Sequence, residues 1–188
     1  MPPAELAESF LAGDLFVPGE LRLAVTDLDR LALGGAVPQG ELALAPCAEF
    51  GTRYFTERRE LGVLNLGKPG AVHVGGEVYR LETLDGLYVG AGEPDVRFAS
   101  GPAGQAVFYL LSCPAHRTFP TAKIARQEAE AAVFGDERNS SKRCIRKYIH
   151  PGGARSCQLT MGYTELAPGS VWNTMPAHRH ARRSEIYL

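Results

Sequence analysis

The chain has 188 residues, 45% of them hydrophobic and 22% charged, with 20 Lys plus Arg against 21 Asp plus Glu and a formal charge of −1. That length buries a real core and suits one large β domain or two small ones. The balanced charge excludes the basic footprint of a nucleic-acid binder or a protein of anionic membranes, which leaves a small metabolite as the natural partner.

The chain opens with MPPAELAESFLAGD (1–14), which predicts a short surface helix ending near Gly13 within an N-terminal arm over 1–20. Glu5 and Glu8 stand where a signal peptide needs basic residues, and the longest apolar runs are broken well short of the roughly 18 residues of a membrane span. A cytoplasmic location is therefore expected. Cys47, Cys113, Cys144 and Cys157 are scattered singly. Without close pairs they predict reduced thiols, neither a disulfide framework nor a cysteine zinc site.

Glycine (21) and proline (13) are spread along the chain and separate short runs of strand character: 21–26, 61–66, 86–90, 105–111, 144–149 and 157–164. Short β runs punctuated by turn residues predict a sandwich or barrel. AVHVGGEVYRL (71–81) is the clearest hairpin, two alternating strands around Gly75-Gly76 in a primed turn. ARQEAEAAVFG (125–135) reads as a second helix or as a solvated connector.

YFTERRELGVLNL (54–66) and HRHARRSEIYL (178–188) echo each other, each with an Arg-Arg pair, a Glu soon after and an apolar strand start. Superposing Arg58-Arg59 on Arg182-Arg183 sets Tyr54 against His178 and Thr56 against His180. The echo suggests a duplicated barrel whose first copy lacks ligands.

In the second copy, His178 and His180 are one residue apart, which on a strand turns both imidazoles to one face. Glu185 follows five residues after His180, far enough for a tight excursion that returns its carboxylate to the same cavity. Two imidazoles and a carboxylate suit Zn²⁺, Fe²⁺, Mn²⁺, Co²⁺ or Ni²⁺. This H-x-H-x₄-E pattern after a Gly-bearing turn (Gly169) resembles the first cupin motif. In the first copy Gly92 is followed three residues later by Asp95, where the second cupin motif has His. With Tyr54, Thr56 and Asp95 in the three positions, the first barrel is expected to bind no transition metal.

Longer stretches resemble the 4-deoxy-L-threo-5-hexosulose-uronate ketol-isomerases, also called 5-keto-4-deoxyuronate isomerases. The matching segments are YFTERRELGVLNLG (54–67), LYVG (87–90), FASGPAG (98–104), PAHRTFPTAK (114–123) and QLTMGYTELAPGSVWNTMPAHRHARRSEIYL (158–188), the last including Trp172. The resemblance implies an all-β bicupin fold, with a first cupin-like barrel over 21–150 and the start of a second, metal-binding barrel over 151–188. It further implies a homohexamer, a zinc ion held by His178, His180 and Glu185, and a role in degrading pectin-derived unsaturated uronates. The family's fourth ligand is a later His with no counterpart here, because the sequence ends three residues past Glu185. The second barrel is thus expected to be incomplete in this chain, with little or no turnover by these 188 residues alone.

An aldose–ketose isomerisation needs a Lewis acid on the substrate oxygens and a tuned general base. The sequence does not name the base; Tyr163 and Glu165 are near the ligands. The substrate's carboxylate calls for a planar bidentate cation, which makes Arg182 and Arg183, between the ligands, the candidate substrate-binding residues. Arg58 and Arg59 are expected to serve packing or an interface. The expected reaction converts 5-keto-4-deoxyuronate to 3-deoxy-D-glycero-2,5-hexodiulosonate. The alternatives are a non-catalytic sugar-acid-binding cupin and an Fe²⁺-dependent cupin oxygenase.

Overall fold

A computed structural model describes residues 1–172, 180–181 and 184–188. One helix, α1 (Pro3–Phe10), buries no residue, as expected of an N-terminal arm. The strands follow as β1 (Leu21–Val25), β2 (Ala32–Ala36), β3 (Leu42–Ala43), β4 (Arg59–Asn65), β5 (Gly70–Val74), β6 (Glu77–Leu81) and β7 (Gly86–Val89). After these come β8 (Val96–Ser100), β9 (Phe108–Pro114), β10 (Ala122–Ile124), β11 (Glu130–Phe134), β12 (Arg143–Ile149) and β13 (Met161–Leu166).

All named strand pairs are antiparallel and fall into three sheets. A six-stranded sheet runs β1-β2-β9-β4-β7-β10, a four-stranded sheet β3-β8-β5-β6, and a three-stranded sheet β11-β12-β13. Within the first two, β2 to β9 are dealt out as 2-9-4-7 facing 3-8-5-6, the double Greek-key order of a jelly roll. The fold is therefore all-β and cupin-like, with β1 and β10 added at the two edges of the larger sheet.

Alternation explains the layers. On β4, Leu61 and Val63 join Val72, Val74, Phe98, Phe108 and Leu110 in the core between the two facing sheets. The intervening residues of the same strand point outward, where Leu64 joins Tyr88, Tyr109, Tyr148, Ile149, Leu159 and Met161 in a second core. All seven residues of β4 are consequently buried. This double coverage accounts for LGVLNL reading as a continuous apolar run. Gly62 lets these side chains approach the strand closely: a Cβ there would lie 2.8 Å from Met161 Sδ and 3.0 Å from Ile149 Cδ1, so these side-chain ends would have to shift.

The expected hairpin is present, with Val74 opposite Glu77 and both Gly75 (φ 56°) and Gly76 (φ 95°) in the left-handed region of a primed turn. The 125–135 segment departs from expectation. It makes one turn, with the Ala129 amide donating to the Ala125 carbonyl, and then becomes β11. A five-pair ladder from Glu130–Lys147 to Phe134–Arg143 overrides the helix preference of its Ala and Glu residues. The run expected at 105–111 begins its strand at Phe108, because Gln105 and Val107 turn their carbonyls to the Lys68 and Leu66 amides.

Replacing Gly62 by Ala should lower unfolding stability by about 1–3 kcal/mol through overpacking. Urea denaturation monitored by circular dichroism measures this, and a midpoint matching the wild type would contradict the close approach.

Candidate metal and substrate site

A buried polar junction joins the jelly roll to the segment that leads into β13. Glu60, on the outward face of β4, is fully buried. Its Oε1 accepts the backbone amides of Gln158 (2.8 Å) and Leu159 (2.7 Å), and its Oε2 accepts the Cys157 amide (2.7 Å) and the Tyr88 hydroxyl (2.8 Å). With the Cys113 thiol 3.4 Å from Oε1, five donors converge on one carboxylate and satisfy its oxygens. These contacts also explain why the strand expected over 157–164 starts at Met161: residues 157–159 give their amides to Glu60 and not to a ladder. Beside it, burial and then the Glu60 charge push the Cys113 thiol well above its ordinary 9.0. Glu60 was not among the candidate residues; the one sign in the sequence is an acidic residue heading an otherwise apolar run.

Of the expected metal ligands, His180 and Glu185 come together, with His180 Nε2 2.6 Å from Glu185 Oε1. The Tyr187 hydroxyl donates to the other carboxylate oxygen at 2.5 Å. The Ser184 hydroxyl donates to Asp29 Oδ2 at 2.7 Å, tying the segment to the turn between β1 and β2. His178, Arg182 and Arg183 lie outside the described residues. Among the described residues no three His, Cys, Asp or Glu side chains are grouped as a metal site.

Glu185 and Tyr187 border a cavity of about 760 Å³ between the outer face of the larger sheet and β13, with Asp29, Tyr109, Thr160 and Tyr163 also in its wall. Burial raises the Tyr109 phenol to about 12, keeping it protonated. Of the two sequence candidates for a base, Tyr163 lines this cavity, whereas Glu165 accepts from Arg126 Nη2 at 2.8 Å.

Tyr54, Thr56 and Asp95, the residues expected in place of ligands, are engaged within the jelly roll. Tyr54 donates to the Gly92 carbonyl at 3.3 Å, Thr56 donates to the Glu93 carbonyl, and Asp95 pairs with Arg97 at 3.0 Å. Arg58 is exposed. Arg59 is a packing residue: its guanidinium lies 4.0 Å from the Phe50 ring centroid and donates to the Arg30 carbonyl (2.7 Å) and the Ser112 carbonyl (3.0 Å). Burial lowers its pKa to about 10, so it stays charged at neutral pH.

The family model described as the KduI/IolB family matches residues 18–187. A 4-deoxy-L-threo-5-hexosulose-uronate ketol-isomerase of Opitutus terrae is 51% identical over 190 residues, spanning 100% of this chain and 69% of that protein. One of the same name from Bacillus licheniformis is 48% identical, spanning 98% of this chain and 68% of its own length. Among solved structures, an IolB-like protein from Salmonella typhimurium LT2 aligns with a TM-score of 0.49 at 12% identity, over 62% of this chain and 43% of that one.

Two outcomes follow for the Glu60 junction. Glu60→Ala removes the acceptor of three backbone amides, that of Leu159 buried, and should cost about 3 kcal/mol, read by chemical denaturation. Because the folded state raises the Cys113 pKa, the stability carried by its protonated thiol is complete below the unfolded value of 9.0 and is lost as pH rises beyond it. Melting temperatures from pH 7.5 to 10.5 should fall less steeply in Cys113→Ala than in the wild type.

Proposed function

Because the chain belongs to the KduI/IolB family, we propose that it is an aldose–ketose isomerase converting 4-deoxy-L-threo-5-hexosulose uronate to 3-deoxy-D-glycero-2,5-hexodiulosonate. The observation that carries the proposal is 51% identity, over the whole chain, to a relative named for that ketol-isomerase activity. In that reading the chain is an intramolecular oxidoreductase, working in the degradation of pectin-derived uronates.

His178, His180 and Glu185 would hold one divalent ion, zinc by the resemblance. The pairing of an imidazole nitrogen with a carboxylate oxygen at 2.6 Å fits that donor chemistry. When bound, the ion would act as Lewis acid on the substrate's carbonyl and adjacent hydroxyl oxygens. Tyr187, donating to the second Glu185 oxygen, fixes the direction of the carboxylate as partners behind a ligand commonly do. Arg182 and Arg183, between the ligands in sequence, would clamp the substrate carboxylate through paired N–H donors. The migrating proton needs an acceptor facing the cavity. Tyr163 borders that space, while Glu165 is engaged by Arg126.

A cavity of about 760 Å³ accommodates a six-carbon sugar acid. If the three-stranded sheet β11-β12-β13 begins the second barrel of a bicupin, that barrel starts at Glu130 and not at residue 151 as expected from the sequence. A homohexamer and a cytoplasmic location complete the proposal. Four free thiols suit a reducing compartment, and no helix among the described residues is long and apolar enough to cross a membrane.

Zinc-loaded protein should convert the uronate, followed by NMR of the product. His180→Ala and Glu185→Gln should each lower turnover by on the order of a hundredfold and reduce bound zinc measured by mass spectrometry. Binding of the sugar acid without conversion, or oxygen uptake dependent on Fe²⁺, would overturn the isomerase reading.

A further inference from the structure

An aldose–ketose isomerisation moves one proton from the carbinol carbon of the sugar to the aldehyde carbon beside it. The acceptor must be ionised at neutral pH and open to the substrate. Among the described residues, the titratable side chains bordering the cavity are Asp29, Tyr109, Cys113, Tyr163, Glu185 and Tyr187. A phenol keeps its proton at neutral pH and serves as a donor, and burial keeps the proton on the Cys113 thiol. Glu185 faces His180 with one oxygen and accepts from Tyr187 with the other. The carboxylate that remains is Asp29.

Its turn places it. Asp29 (φ 51°) and Arg30 (φ 53°) are consecutive non-glycine residues in the left-handed region, a conformation that persists where the surroundings enforce it. Here the Thr26 amide donates to the Leu31 carbonyl at 2.9 Å, and the Leu31 amide to the Leu28 carbonyl at 3.1 Å. The buried Arg59 guanidinium donates to the Arg30 carbonyl at 2.7 Å, so the turn is held from the jelly roll. The carboxylate is oriented as well: Ser184, next to Glu185 in the chain, donates to Oδ2 at 2.7 Å, and Oδ1 has no donor among the described residues. Tyr109, bordering the same cavity, has a buried hydroxyl with no hydrogen-bond partner among the described residues, as expected where a ligand completes the bonding.

Resting on the isomerase reading above, we propose that Asp29 is the general base that takes and returns the migrating proton. Its carboxylate removes the proton from the carbinol carbon; that C–H bond breaks and its electron pair becomes the C=C bond of an enediolate. The same carboxyl group then gives a proton to the former aldehyde carbon, where the new C–H bond forms. The carbinol O–H proton ends on the former aldehyde oxygen. No atom is gained or lost, and no oxidant takes part.

The test follows zinc-loaded protein with the uronate in D₂O by NMR. Asp29 is exposed, so its carboxyl proton exchanges with water and the new C–H bond of the product should carry deuterium. Asp29→Asn keeps an acceptor for Ser184 and tolerates the left-handed turn, so its melting temperature and bound zinc should match the wild type. Its kcat should fall about a hundredfold or more, with KM changed by less than about threefold. Asp29→Gly should be equally slow, and formate should restore part of its rate by standing in for the missing carboxylate. Product free of deuterium, or Asp29→Asn turning over at the wild-type rate, would overturn the assignment of the base and leave the isomerase reading intact. Loss of bound zinc from Asp29→Asn in step with its rate would likewise overturn it, in favour of a supporting role. No conversion by the wild type would overturn both.

Discussion

One buried carboxylate ties the molecule together. Glu60 sits on the outward face of a strand whose inward face already belongs to the jelly-roll core, and it receives the amides of three consecutive residues almost a hundred positions later. A fully buried acid is costly unless its oxygens are satisfied, and here every partner donates. The result is directional. Apolar packing by Leu159 and Met161 can cover the larger sheet, but only the hydrogen bonds dictate which residues leave the ladder and where β13 begins. Gly62, two residues along β4, lets the same segment come down onto the strand.

The parts of the fold legible in the sequence were those governed by local rules. The Gly75-Gly76 hairpin follows from a two-residue turn that needs positive φ twice, and β1, β4, β7 and β12 from compact β-forming runs. β2 was hidden by its own composition: ALGGA carries two glycines, and Gly34 and Gly35 are there because backbone atoms of Arg22 and Leu15 pass within 2.3 Å of where a Cβ would stand. β11 was hidden by the opposite fault, strong helix formers placed where a neighbouring strand supplies the ladder. In both cases a contact distant in sequence outweighs the local preference.

The candidate site divides in the same way. His178, His180 and Glu185 stand out in the sequence as expected ligands because ligand spacing is short-range chemistry; of the three, His180 and Glu185 meet, and His178 lies outside the described residues. Glu60 with residues 157–159 forms contacts between segments that no spacing rule connects. They emerge only once the double Greek key has put the end of β9 beside the entry to β13. Arg59 lies between these cases: the Arg-Arg-Glu sequence marks the position, but only the structure assigns Arg59 to packing under Phe50 and Glu60 to anchoring.

Anchoring matters for the proposed chemistry because ligand geometry tolerates little slack. A metal site displaced by about an ångström loses much of its catalytic value, so its supports must be stiffer than its ligands. The ligand-bearing segment is supported from the jelly roll at two levels. Ser184 is tied to Asp29 on the β1–β2 turn, and β13, in the opposite wall of the cavity, is held through Glu60. Of the two, the Glu60 junction is multiply bonded around a buried carboxylate, whereas the Ser184 contact is a single exposed hydrogen bond. The rigid reference for the site is therefore the jelly roll, acting through Glu60. The jelly roll thus contributes to the proposed site as the frame against which β13 is positioned.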